Sequence, residues 1–132
     1  MIRYLVSVLG LAALTAAIMA QTPPVTGDRT SPLRELGGED NIGISNAVLR
    51  NQPEVRVLRV VVEPGGVRAM HSHDDVDFHL FAPISGTMEL TIEGDDPIEV
   101  TPWHPYYLDG GTQHGFHNPT DVAIEIMEIF VQ

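Results

Sequence analysis

From Glu54 onward the chain reads as short runs of β-branched and aromatic residues broken by Gly, Pro and Asp. The runs are EVRVLRVVVEP, VRAMHSH, FHLFAPISG, TMELTIEG, PIEVTP, PYYLDG, QHGFHN and VAIEIMEIFV. In TMELTIEG, Met88, Leu90 and Ile92 alternate with Thr87, Glu89, Thr91 and Glu93, the period-two signature of a strand with one buried face. In the last run Ile124 and Ile126 alternate with Glu125, and the pattern then slips at Met127 and Glu128, which predicts a bulge there. No run is long and periodic enough to demand a helix. Strands recurring at roughly 8–12 residues predict an all-β sandwich or barrel. Before them, residues 21 to about 45 are rich in Pro, Gly, Thr and Ser without a sustained period, which predicts an extended N-terminal arm.

The first 20 residues stand apart. Arg3 followed by the apolar run from Tyr4 to Ala20 has the charged start and hydrophobic body of a secretory signal. The expectation is an exported protein, periplasmic or extracellular, with an uncleaved N-terminal anchor as the alternative. The resulting division is 1–20 signal peptide, 21–53 extended arm and first-strand region, and 54–132 barrel. That length suits one core. The chain has seven arginines and no lysine against 18 acids. All the arginines lie at or before Arg68, so the C-terminal half carries acids without compensating cations. Such a surface does not suit nucleic acid, because phosphate binding needs the opposite sign. The absence of cysteine excludes disulfides and thiolate chemistry.

The segment HSHDDVDFHLFAPISG, residues 71–86, concentrates candidate chemistry. Side chains two apart in a strand point to the same face about 6.5–7 Å apart, so His71 and His73 present their imidazoles side by side, as two ligands of one metal require. DDVD reads as a turn, after which the chain returns carrying His79. Asp74 and Asp75 are expected as turn residues. A fourth candidate, His114, follows the glycine pair of DGGTQ. His117, at odd spacing from His114, is expected at the surface, and His104 in a loop.

These residues resemble the cupins, small double-sheet jelly-roll (double-stranded β-helix) barrels. Gly65 precedes His71 at the spacing of the first cupin motif, and HSH supplies its histidine pair. Gly111, His114 and Asn118 match the second motif, with Asp109 where proline is usual. Cupins ordinarily place a glutamate as third ligand. Here, counting back from Gly86 reaches His79, whereas counting forward from His73 reaches Asp77. The resemblance therefore implies a metal set of His71, His73, His79 and His114, with Asp77 as the alternative third ligand. It implies one divalent transition metal ion (Fe, Mn, Zn, Ni or Cu) and a small-molecule substrate, for a metalloenzyme of dioxygenase, isomerase or lyase type. A non-catalytic metal- or ligand-binding module is the alternative. A homodimer is expected by the same likeness. Strand parity adds Phe81, Phe116 and Asn118 as pocket residues, with Gln113; ligating imidazoles need partners for their N–H groups, and Gln113 and Asn118 are the candidates. No spacing argument puts an arginine, or a general acid or base, beside the histidines, so an anionic substrate has no support at this level.

Overall fold

A computed structural model describes residues 31–132; the expected signal segment and residues 21–30 of the arm lie outside the described residues. Nine strands run β1 (Arg34–Glu35), β2 (Ile42–Gln52), β3 (Val55–His71), β4 (Phe78–Ser85), β5 (Met88–Ile92), β6 (Ile98–Val100), β7 (Tyr106–Asp109), β8 (His114–His117) and β9 (Ile124–Val131). The described residues contain no helix. The strands form one nearly closed antiparallel sheet in the order β6-β5-β8-β3-β9-β4-β7, with β2 paired to β3 and β1 to β2. The all-β barrel read from the strand spacing is present.

The long β3 ties the barrel together. Val55–Val62 pairs with β9, and beyond Pro64-Gly65-Gly66 the strand pairs with β8 through Val67, Arg68 and His71. Gly65 has φ 69°, in the left-handed region that glycine enters without a Cβ penalty. That conformation lets the strand change partners there.

Alternation of side chains places the core. β9 buries Ile124, Ile126, Glu128 and Phe130 in strict period two, while β4 buries His79, Phe81 and Pro83. Met88, Leu90, Phe116 and Val62 complete the apolar interior. Each large apolar side chain buried in this way contributes roughly 1.5–3 kcal/mol.

Two expectations need correction. The arm predicted to run to about residue 45 already pairs into the sheet at Arg34–Glu35 and is strand again from Ile42, and Ile44 and Ala47 of β2 are buried. Apolar residues are sparse in that segment, so its strand character comes from pairing with β3. The bulge predicted at Met127 and Glu128 does not occur: β9 keeps one register against β3 from Ile124 to Val131. The apparent slip is a carboxylate occupying an inward position.

Candidate metal centre

The four histidines come from three strands and a loop. His71 ends β3 and pairs across the sheet with His114, the first residue of β8. His79 is the second residue of β4. His73 lies in the loop after β3, which the glycine turn before β8 fixes in place: Gly111 N–H donates to the His73 carbonyl at 3.0 Å and Gly110 N–H to the Asp77 carbonyl at 2.8 Å. Gly110 can sit so close only because it lacks a side chain, since a Cβ there would overlap the Val76 carbonyl oxygen.

Ring centroids of His71 and His114 are 4.3 Å apart, His71 and His73 4.8 Å, His79 and His114 4.8 Å, and His73 and His79 5.1 Å. The donor atoms of His71, His73 and His114 lie within 4.8 Å of one another. Phe130 closes one side, stacked on His79 at 5.0 Å and edge-on to His73 at 4.7 Å.

The protonation pattern follows from the hydrogen bonds. His71 Nδ1 lies 2.9 Å from the Ala69 carbonyl and His114 Nδ1 2.8 Å from that of Thr112. A carbonyl only accepts, so each Nδ1 carries the proton and each Nε2 keeps a lone pair. Burial pushes His71 and His73 down to about 4 and His79 to about 3, and lowers His114 as well, so the cluster is neutral at physiological pH. Among the described residues, the buried Nε2 atoms of His73, His79 and His114 have no hydrogen-bond partner. A buried polar group left unpaired costs about 1–3 kcal/mol. Unpaired imidazole nitrogens beside a cluster of three donor atoms within 4.8 Å of one another fit a metal ion, which would satisfy them. His71, His73 and His114 form a triad able to hold one, and His79 packs its ring against two of its members.

Of the other predicted site residues, Asp77 is exposed and serves through its backbone, donating its N–H to the Val131 carbonyl at 2.8 Å. Phe81 and Phe116 are buried with their rings 5.1 Å apart. Gln113 is exposed. Asn118 is fully buried, but its Nδ2 donates to the Val62, Glu63 and Val122 carbonyls, and its Oδ1 accepts from Thr120. It clamps the turn that follows β8 and offers nothing to a ligand. The N–H groups of His71 and His114, expected on Gln113 and Asn118, go to backbone carbonyls instead. His117 lies on the outer face beside Glu89 at 3.1 Å, and His104 is in an exposed loop.

Sequence reasoning missed two groups. A cavity of about 130 Å³ opens beside His71 and His73 and is lined also by Arg68 and Glu128, with Phe116, Leu36, Leu58 and Val60 and, from β2, Ile44 and Asn46. Glu128 is 5% exposed, and burial pushes its carboxyl up to about 7, with Arg68 and Arg56 pulling the other way. Among the described residues, no hydrogen bond or ion pair reaches that carboxyl group.

A β-barrel with a partly buried histidine triad beside a small mixed-polarity cavity belongs to the class of metal-capable jelly-roll barrels. The chain is a member of the cupin family: the model of the cupin domain matches residues 58–130. A cupin domain from Bordetella pertussis is 26% identical, with a TM-score of 0.60, covering 72% of this chain and 99% of that one. The polyketide cyclase RemF from Streptomyces resistomycificus is 17% identical with a TM-score of 0.68, over 77% of this chain and 74% of that one. Mannose-1-phosphate guanylyltransferase from Klebsiella pneumoniae is 28% identical over 82 residues, 62% of this chain. The chain spans only 18% and 17% of the length of the two curated relatives it matches.

Proposed function

We propose that this cupin is a metal-dependent enzyme acting on a small organic molecule, with one divalent transition metal ion held by His71, His73, His79 and His114. The observation that carries the catalytic part is Glu128, a buried carboxyl group with no hydrogen bond or ion pair among the described residues, on the wall of the cavity that His71 and His73 also line. A group that exchanges its proton near neutrality suits general acid–base chemistry. It supplies the proton donor or acceptor that a mere binding module does not need.

When bound, the metal would act as a Lewis acid on a substrate oxygen, and neutral imidazoles would leave its charge undiminished. The chain's own residues do the rest. The backbone carbonyls of Ala69 and Thr112 orient His71 and His114. Phe130 keeps water from one side of the rings, and Phe116 presents an apolar surface to the substrate. Glu128 moves a proton to or from the substrate inside the cavity. The reaction is of dioxygenase, isomerase or lyase type.

Elemental analysis of the purified full chain tests the metal assignment. About one equivalent is expected in the parent and in Asp77→Ala, with loss in His114→Ala and His79→Ala; background metal in the parent would overturn it. The metal-loaded protein is then screened for oxygen uptake with catechols, flavonols and thiols, and for isomer or lyase products by NMR. Glu128→Gln should retain metal and lose about 10²–10⁴-fold in turnover. Undiminished turnover would remove Glu128 from the mechanism. The same proposal places the mature chain outside the cytoplasm as a homodimer. Cell fractionation and light scattering test this, and a cytoplasmic or monomeric chain would refute the corresponding half.

A further inference from the structure

Arg68 is the one cation lining the cavity beside the histidines, half-buried in a chain that is strongly acidic overall. Its Nη1 donates to Asn41 Oδ1 at 2.9 Å, and the same oxygen accepts the Ala69 N–H at 3.1 Å. Asn41 is itself held by its Nδ2 donating to the Gly37 carbonyl at 2.8 Å. The guanidinium is thus fixed in place by a neutral acceptor. Among the described residues, Asn41 is its one side-chain hydrogen-bond partner, and no carboxylate lies within 4.0 Å of it. Glu128 shares the cavity but does not close an ion pair with it. The fork of remaining N–H donors matches two oxygens of a planar anion.

We propose that Arg68 makes this cavity selective for small carboxylates, the acid group seated on the guanidinium and the apolar remainder lying against Leu36, Ile44 and Phe116. The proposal deepens the metal-enzyme reading by naming its substrate class, and rests on that reading only for the site being the reactive one. Size sets the limit on the occupant. A dry cavity of roughly 150 Å³ holds benzene, so about 130 Å³ accommodates about six non-hydrogen atoms. A larger acid must leave its tail at the mouth. A carboxylate on Arg68 also lies in the cavity that Glu128, His71 and His73 line.

The test uses butyrate and its uncharged isostere butyramide as probes, titrated by NMR into the full chain, metal-loaded and after chelation, with metal content measured on the same samples. Butyrate is expected to bind about 10- to 100-fold tighter than butyramide, the margin typical of a charge-assisted hydrogen-bonded pair. Arg68→Gln should abolish that margin without changing metal content. Arg68→Lys, which keeps the charge and loses the fork, should weaken butyrate several-fold and leave butyramide unchanged, and it decides the matter if the glutamine variant does not fold. Asn41→Ala should weaken butyrate in the same sense, through loss of positioning. Equal binding of the two probes, undetectable butyrate binding, or parental butyrate affinity in both Arg68 variants would overturn the proposal. A parent that holds no metal yet keeps an Arg68-dependent margin refutes the metal reading alone. One that holds metal and shows no margin refutes the carboxylate proposal alone.

Discussion

Glu128→Gln in the metal-free protein isolates the cost of keeping a carboxyl group in the barrel. Burial raises this group from 4.5 to about 7, against the opposing pull of Arg68 and Arg56. The folded state therefore holds its proton more tightly than the unfolded chain does. The stability this contributes is fully present below about 4.5 and is lost as pH rises through 7, because the unfolded chain ionises first. At 1.36 kcal/mol per unit, the loss over that window is about 3 kcal/mol. Glutamine has the shape of the protonated acid and does not titrate. The variant should therefore match the parent near pH 4.5 and exceed it by about 3 kcal/mol at pH 8. The histidines work in the opposite direction. Burial depresses His71, His73 and His79, so their contribution is present above about 6.5 and is lost as pH falls toward their folded values. Both proteins share that term, and it cancels in the difference between them. Urea unfolding in steps from pH 4.5 to 8, with m-values checked for constancy, gives the difference directly. A pH-independent difference, or a variant less stable than the parent at pH 8, would refute a buried carboxyl without a close partner.

Two packing predictions follow from the same architecture. Phe81→Ala removes a fully buried ring that packs on Phe116 at 5.1 Å, and should cost about 3–5 kcal/mol by urea unfolding; a loss below 1 kcal/mol would mean that the barrel collapses onto the space. Gly110→Ala sets a methyl against the Val76 carbonyl, so the loop carrying His73 must move. It should lower metal affinity by an order of magnitude or more with the histidines intact, and unchanged affinity by competition with a chelator would show that the glycine turn does not position His73.

The barrel was legible because burial writes a period of two into a strand. Met88 and Leu90 are buried and Glu89 exposed as the alternation required, and the glycines at the spacing of the cupin motifs pointed to the histidines that β3, β4 and β8 carry. Arg68 and Glu128 were illegible for two different reasons. Glu128 sits in perfect register between Ile126 and Phe130, but a carboxylate in an inward position looks like a loss of pattern, and sequence alone does not separate a bulge from a buried charge. Arg68 is three residues from His71, an odd spacing that in a regular strand sends the two side chains to opposite faces. The pairing explains why both reach the cavity. Arg68 stands opposite Phe116 and His71 opposite His114, so three steps along β3 are matched by two along β8, and the strand carries an irregularity between them. An extra residue there reverses the parity. The metal-side histidine and the cavity arginine thus face one space because the strand breaks its own rule between them, and such a break is visible only once the partner strand is in place.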